Sequence, residues 1–385
     1  MQIGYKNAFN ILTIIGTLLF VSELKAQNNK QLLDPSGYIT KYDTAFSGTG
    51  PEVYVLPTPR TKGEVLADSY KEKLPFRDSI EKALDFQQTQ EEFKLTSNHH
   101  ALKNLLTPEP TSEHEWNKLI DTEIKRGNYS GAYGILNAFA QFSLKNGSAK
   151  QAIDLLHIAL THAQKTSANL DIFTIQYNLA NLYLFDKNVK QAGHFQESFL
   201  KNAEVKKSRV EQANAVTKIA LIQAADKDYR SAERNIIRKA IPLLNKAKAY
   251  EEKVDSWQAL AKIYQLQNKH TEAQWFLIQA RDLANSKNLT GQLAEIEYML
   301  ASSKFVQENF RVAQKEFLQA EELAISEDNK LLQLAIADKL GQIYLNEKDL
   351  EKAEDSLQHY INLKDELFNL ITTEKGVKNS TPLVQ

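Results

Sequence analysis

Small and bulky apolar residues recur along the chain at a spacing that suits pairs of packed helices. The segment Trp257–Tyr264 places bulky, small and aromatic residues on one helical face, and Ala273 and Leu277 follow on the next helix. Where two helices pack at about 8–10 Å, each contributes a small residue at the crossing while larger side chains fill the grooves beside it. We therefore expect Ala261 and Ala273 to form the close contact of one helix pair.

The same pair of small residues recurs six times at a nearly constant interval. Successive second-helix members are 40, 40, 41, 40 and 40 residues apart, and an apolar residue precedes every first-helix member. Such a register predicts stacked helix pairs, each covered only by its neighbours. The first-helix series is Ala140, Ala180, Ala220, Ala261, Ala301 and Gly341, and the second-helix series is Ala152, Ala192, Ala232, Ala273, Ala313 and Ala353.

This pattern resembles the tetratricopeptide repeat, whose signature W-x2-L-G-x2-Y is followed by A-x3-F, with Ala261 where the glycine usually stands. The resemblance covers roughly residues 111–370, in units of about 40 residues where about 34 is usual. It implies an all-α fold, a right-handed α-solenoid of antiparallel helix pairs. HEAT and armadillo repeats, at about 40–47 residues, are the alternative, but they lack this pairing of small residues.

The first part of the chain is expected to differ from the solenoid. Residues 1–26 have the pattern of a secretory signal peptide, because Lys6 precedes an apolar run of about 14 residues and Ala26 offers a small residue at the cut. A spanning helix needs about 20 residues. Residues 27–110 carry seven of the nine prolines, which predicts an irregular, partly disordered arm. Apolar spacing within the arm predicts one helix, at 76–95.

Residues 111–370 are expected to form the solenoid, with about six helix pairs and one opening helix. Ser112 and Glu115 have the spacing of a capping box and predict the start of that opening helix. Turn signals such as Asp186–Asn188 and Asp226–Asp228 then fall roughly every twenty residues. Residues 371–385 are expected to be a disordered tail.

Charge and cysteine content limit the partners and the cellular compartment that we expect for the protein. The formal net charge of −1 gives no support for a nucleic-acid or anionic-membrane partner, since both generally need a basic surface. The chain has no cysteine, so it carries neither a disulfide framework nor a thiol-linked lipid anchor. We expect a protein secreted across the inner membrane, most simply periplasmic, without membrane insertion after signal cleavage.

Motifs for catalysis are missing from the sequence. There is no glycine-rich phosphate loop, no Gly-x-Ser-x-Gly elbow and no His-Glu-x-x-His. The pair His99 and His100, with Glu109 and His114 nearby, matches no zinc spacing. We therefore expect no enzyme activity, no cofactor and no metal site.

The resemblance also implies a groove, because in this family the first helix of each pair lines the concave face. Relatives that clamp a peptide carboxylate carry Lys and Asn, then Asn, then Lys and Arg across three repeats; here only Asn178 keeps the residue and Lys218 the charge. One cation in place of three removes most of the attraction for a double carboxylate. The alternative is that these are merely solvated side chains. The predicted partner-binding residues are Asn137, Gln141, Tyr177, Asn178, Asn181, Asn214, Lys218 and Tyr298.

Two functional hypotheses follow. The first is an extracytoplasmic scaffold that binds a protein or peptide segment along the concave face. The second is a stand-alone sensory or regulatory subunit of an envelope signalling system, since Leu363–Phe368 resembles the junction that follows the repeats in envelope sensor kinases. An enzyme is the third and least supported hypothesis, because no site supports it.

Overall fold

The computed structural model describes residues 39–40, 54–55, 60–166 and 168–368. The expected signal peptide and the expected tail from residue 371 onward lie outside these residues. Two short strands, β1 (Ile39–Thr40) and β2 (Tyr54–Val55), pair antiparallel with Ile39 opposite Val55. Three helices follow within the arm: α1 (Lys62–Glu72), α2 (Leu74–Glu91) and α3 (His99–Leu102).

The rest of the described chain is an array of helices, and the predicted solenoid of stacked helix pairs is confirmed. An opening helix, α4, precedes six pairs, each packed on the next. The second helix of the third pair passes through a π-helical turn, which separates α10 from α11. The bounds are α4 (Glu113–Lys125), α5 (Tyr129–Lys145), α6 (Ala149–Thr166), α7 (Asn169–Phe185), α8 (Val189–Val205), α9 (Arg209–Ala225), α10 (Tyr229–Asn235), α11 (Ile241–Ala247), α12 (Tyr250–Leu266), α13 (His270–Lys287), α14 (Leu293–Val306), α15 (Phe310–Ser326), α16 (Lys330–Asn346) and α17 (Leu350–Phe368).

The small residues of the two series lie where the helices meet. Each of the eleven alanines is at most 1% exposed. The tryptophans behave differently from one another: Trp116 stacks on Phe139 with ring centroids 5.2 Å apart, but Trp275 is 57% exposed. Trp275 of α13 therefore faces solvent and does not belong to the core.

The turn between paired helices shows why its polar residues recur. Lys187 ends α7 in the left-handed conformation with φ 60°, and the next amide, of Asn188, donates to the carbonyl of Tyr183 at 2.8 Å. The Asn188 side chain then accepts from the amide of Gln191 and caps α8. These two residues satisfy backbone groups at the end of one helix and the start of the next. The capping box of α4, from Ser112 to Glu115, is also confirmed.

The helices of the arm pack against the solenoid. Helix α1 packs on α16 and α17, α2 contacts α5, α7 and α16, and α3 contacts α5. Most of these contacts are with the first helices of the first, second and sixth pairs, which are the helices that line the concave face in this type of repeat. On α2, Ile80, Ala83 and Phe86 are at most 3% exposed and belong to a core cluster that includes Trp116 at one end of the array and Leu367 at the other.

The arm differs from the sequence-based expectation in its helices. One helix was expected at 76–95, whereas the described residues contain α1, α2 and α3, and α2 ends at Glu91. Helices of this length need an apolar surface to cover them. The concave face of the solenoid provides that surface, which the local pattern of the arm does not reveal.

Two glycines, one near each end of the solenoid, leave space for the arm to pack closely. A Cβ at Gly341 of α16 would lie 1.9 Å from the hydroxyl oxygen of Tyr70, which donates to the carbonyl of Ala353 at 2.7 Å. A Cβ at Gly134 of α5 would lie 2.5 Å from a methyl carbon of Leu102. Both helices therefore need a residue without a side chain where the arm packs.

A buried ion pair fixes the start of α2 on the last repeat. Asp338 of α16, 3% exposed, accepts from Nε of Arg77 at 3.0 Å and lies 3.3 Å from Nζ of Lys73. Burial lowers the pKa of Lys73 to about 8, although Asp338 opposes the shift. The Lys73 ammonium also lies 4.1 Å from the ring centroids of Tyr70 and Tyr360.

Candidate functional site in the concave groove

Residues 92–98, here named the groove segment, connect α2 to α3 along the first helices of the first three pairs. The side-chain amide of Asn178, on α7, contacts this segment in the way that a backbone peptide group would. Its Oδ1 accepts from the amide of Lys94 at 2.9 Å, and its Nδ2 donates to the carbonyl of the same residue at 2.7 Å. Asn178 is 1% exposed, so the two hydrogen bonds are shielded from water. They recognise a backbone unit and not a side chain.

Two further side chains hold the amides that follow. Oδ1 of Asn137, on α5, accepts from the amide of Thr96 at 3.2 Å. Asp171, at the start of α7, accepts from the amide of Ser97 at 2.7 Å and from its hydroxyl at 3.0 Å. The hydroxyl of Tyr133 donates to Asp171 at 2.6 Å and fixes the carboxylate. The groove thus satisfies backbone donors that a continuing helix would otherwise use.

A charged contact anchors the other end of the groove segment. Nζ of Lys218, on α9, lies 2.6 Å from both carboxylate oxygens of Glu92, and Nδ2 of Asn181 donates to the same carboxylate at 3.2 Å. Burial alone would lower the pKa of Lys218, but the charge of Glu92 raises it above its ordinary value. Lys218 therefore remains protonated in the groove.

Aromatic residues cover the middle of the groove segment. Nζ of Lys94 lies 4.1 Å from the ring centroid of Tyr177, which packs against Phe199 at 5.2 Å. Burial lowers the pKa of Lys94 and raises that of Tyr177. The side chain of Phe93, 9% exposed, packs in the same core cluster as Trp116. The groove therefore has a polar floor for the backbone and an aromatic wall for the side chains.

The structure brings together five of the eight predicted groove residues: Asn137, Tyr177, Asn178, Asn181 and Lys218 surround the groove segment. Gln141 and Asn214 are half-buried and, within the described part of the chain, make no hydrogen bond to that segment. Tyr298 lies in the other half of the concave face. The partner observed at these residues is the protein's own chain.

Sequence reasoning missed Asp171 and the role of Glu92. A signal for Asp171 was present, because it precedes Asn178 by seven residues and so lies on the same helical face two turns earlier. No comparable signal exists for Glu92. Its partner Lys218 lies 126 residues further along the chain.

The other half of the concave face holds a cavity of about 950 Å³ between α2 and helices α12, α14 and α16. Tyr298 lines it, together with Glu295, and burial raises the pKa of both groups. For Glu295, Lys262 opposes the shift and Glu91 adds to it. Lys262 also pairs with Asp85 at 2.8 Å across the concave space. The side chain of Glu295 contacts water inside the superhelix, where surrounding protein weakens its hydration.

No three histidine, aspartate or glutamate side chains among the described residues lie close enough together to hold a metal ion. The ring centroids of His99 and His100 are 6.2 Å apart, and burial lowers the pKa of His99. None of the helices in the described part of the chain is both long and apolar enough to cross a membrane.

Among known proteins, similarity to this chain is found with solved structures. No model of a known protein family matches the chain, and no curated protein matches its sequence. The structure is similar to that of a Rap protein complexed with Competence and Sporulation Factor, with 10% identity, TM-score 0.48, and 79% of this chain and 99% of that chain covered.

Two further solved structures are similar. One is the apo form of the quorum sensor NprR from B. thuringiensis, with 15% identity, TM-score 0.45, and 79% of this chain and 99% of that chain covered. The other is a signal transduction ATPase with a tetratricopeptide repeat sensor from Pyrococcus horikoshii, with 14% identity, TM-score 0.48, and coverage of 84% and 57%. All three TM-scores are below 0.5, and the stacked helix pairs of this chain themselves define its fold.

Proposed function

We propose that this protein is a non-catalytic scaffold whose concave groove binds an extended segment of a partner protein, in competition with its own groove segment. The observation that carries the proposal is the double hydrogen bond from Asn178 to the backbone of Lys94. Any extended chain presents the same amide and carbonyl, so this contact does not depend on sequence. Glu92 and Lys94 occupy the positions at which a partner's side chains would add specificity.

Because the groove segment competes for the same site, it determines the affinity that a partner needs in order to bind. A tethered segment has an effective concentration on the order of millimolar. A partner's apparent affinity is reduced by the fraction of molecules whose groove is free. A partner that replaces Glu92 by a better ligand for Lys218, or that binds a second surface, overcomes this reduction.

The self-occupied groove also favours the second hypothesis, a regulatory subunit. The groove segment is continuous with α2, and α2 contacts both ends of the array. Binding of a partner in the groove is therefore coupled to the position of α2, because both compete for the same face. We propose this coupling as the route by which such a subunit passes on a signal.

The test uses a labelled synthetic peptide with the sequence of residues 90–100, measured by fluorescence anisotropy on the full-length protein. Glu92→Lys weakens the internal segment through repulsion of Lys218 and leaves the groove intact. We expect this variant to bind the peptide at least about tenfold more tightly than the parent does. Adding Asn178→Ala to it should abolish the gain, because the backbone contact is lost.

A matched control separates competition from a general charge effect. Glu204→Lys makes the same charge change at an exposed position of α8, and we expect it to bind the peptide as the parent does. Equal binding by Glu92→Lys with and without Asn178→Ala would contradict the proposal.

We further propose that the protein acts outside the cytoplasm, most simply in the periplasm, on the basis of the pattern in residues 1–26. Cell fractionation followed by intact-mass measurement tests this. A mature chain that begins at Gln27 in the periplasmic fraction would support it, whereas a full-length chain in the cytoplasm would contradict it.

A further inference from the structure

The cavity beside α2, here named the acidic cavity, has a strong imbalance of charge. Seven carboxylates and three lysines line it among the described residues. Asp85 pairs with Lys262, and Glu366 pairs with Lys330. Within the described part of the chain, Glu91, Glu295 and Glu327 form no ion pair.

Glu91 acts on the other two carboxylates across the acidic cavity. The charge of Glu91 raises the pKa of both Glu295 and Glu327, in addition to the effect of burial. Burial likewise raises the pKa of Glu91, which accepts one hydrogen bond, from Gln87 at 3.0 Å. A positive group placed among the three carboxylates would relieve this repulsion.

Apolar groups lie between the acidic ones. Leu266 and Val306 are 53% and 57% exposed, and they line the acidic cavity with Met299 and Phe305. Large apolar side chains left this accessible in a concave site commonly mark a contact surface for a ligand. A ligand that matches this wall needs apolar groups as well as positive charge.

We infer that the acidic cavity binds a basic, amphipathic polypeptide segment of a partner, with lysine or arginine side chains at Glu91 and Glu295 and apolar side chains at Leu266 and Val306. The inference rests on the proposed function in treating the concave face as a polypeptide site. It concerns the half of that face that the groove segment does not cover. A polyamine would match the charges but offers little to the apolar wall.

The volume fits such a ligand. Sites for small ligands commonly measure about 300–1,000 Å³, and about 950 Å³ is room for several side chains. The acidic cavity and the groove segment are adjacent along the chain. Glu91, which lines the cavity, is the last residue of α2, and Glu92 is the first residue of the groove segment. A basic segment seated in the cavity therefore lies next to the contact between Glu92 and Lys218.

The experiment measures the binding of a short labelled peptide that alternates lysine and leucine to the full-length protein, by fluorescence anisotropy. Two peptides serve as controls, one with glutamate in place of lysine and one with serine in place of leucine. We expect the lysine–leucine peptide to bind at least about tenfold more tightly than either control, and its affinity to fall as salt is raised.

The protein variants test the location of the site. Glu91→Gln with Glu295→Gln should weaken binding at least about tenfold, and the variant should fold, because both side chains are exposed to solvent in the cavity and the change removes a repulsion between two carboxylates. Glu113→Gln with Glu204→Gln makes the same charge change at exposed positions outside the cavity and should leave the affinity unchanged. Thermal melting of each variant verifies that it is folded.

Four outcomes would overturn the inference. They are equal binding of the glutamate peptide, equal loss in the two double variants, spermine binding as tightly as the lysine–leucine peptide, and self-association that requires Glu91 and Glu295. Asn178→Ala distinguishes this site from the groove, because it should not change the affinity for the lysine–leucine peptide. A loss in that variant would place the peptide in the groove, whereas failure of the proposed function alone would leave the cavity result intact.

Discussion

Asp255, on α12, is a residue whose surroundings strongly change its acidity. Burial raises its pKa to about 7, the charges of Glu295, Glu251 and Glu92 add to the shift, and Lys218 opposes it. The ordinary pKa of the group is 3.8. Between about pH 4 and pH 7 the folded protein therefore keeps a proton that the unfolded chain has lost. The contribution of this group to the free energy of unfolding falls as the pH rises through that window and is constant above it.

We predict that Asp255→Asn stabilises the protein relative to the parent above pH 7 and has much less effect at pH 4. The gain should be on the order of 1 kcal/mol, because the side chain contacts water inside the superhelix and is partly screened. Thermal melting at several pH values measures it as a difference in Tm between variant and parent. A difference that is the same at pH 4 and pH 8 would contradict the assigned cause.

The repeat pattern predicts that Asn178 faces the concave groove, but it does not predict the backbone that this residue contacts. Its position follows from local sequence, because the repeat register fixes which helical face is concave. Its observed ligand, the backbone of Lys94, is 84 residues away in the sequence. A side chain that recognises a peptide backbone has the same chemistry whether that backbone belongs to a partner or to its own chain.

Helix α2 shows the same limit at the level of an element. Apolar spacing predicted a helix at 76–95, close to the observed Leu74–Glu91. Its later end was misplaced because Asn137 and Asn178 take the amides of residues 94 and 96, which no local pattern reveals. Proline content predicted an irregular arm, yet Pro75 lies in the first turn of α2, where its missing amide has no cost.

The docking of α1 on α16 can be tested through Gly341. An added methyl group would overlap Tyr70, whose hydroxyl oxygen lies 1.9 Å from the position of such a Cβ. We predict that Gly341→Ala destabilises the protein by about 1–3 kcal/mol, as overpacked sites commonly do. In a Tyr70→Ala background the same change should cost less than about 0.5 kcal/mol, because the overlap is absent.

Denaturant unfolding of the parent, the two single variants and the double variant measures this interaction. An additive result would show that Gly341 serves only the contact between α16 and α17. Ala301→Gly, at the corresponding position of the preceding pair, is a control in which removing a methyl group should destabilise the protein through lost packing.

At the scale of the whole molecule, the helices of the arm connect the two ends of the solenoid, which an open array of repeats would leave unconnected. The array was predictable because helix pairs pack mainly on their neighbours, so residues close in sequence determine each repeat. The contacts that join its two ends are not local. Arg77 and Asp338 are 261 residues apart, and Tyr70 and Ala353 are 283 apart. Through α2, the first and last repeats share one core cluster.

This link predicts a response that an open array would not give. Phe86 of α2 is 1% exposed and packs on Phe185 with ring centroids 5.1 Å apart, so Phe86→Ala should cost about 3–5 kcal/mol. Because α2 is one helix, loosening its contact with α7 also loosens the contact of Arg77 with α16. We predict faster amide hydrogen exchange in α5 and α7 and also in α16 and α17.

Leu277→Ala provides the comparison, because Leu277 is equally buried but lies on α13, in the middle of the array. In this variant, faster exchange should be confined to α12–α15, since a lesion in a solenoid spreads mainly to its neighbours. If Phe86→Ala also affected only the helices around α7, the arm would be a local cover and not a link between the two ends. Faster exchange at both ends, with the middle unchanged, would identify α2 as the link between the two ends of the array.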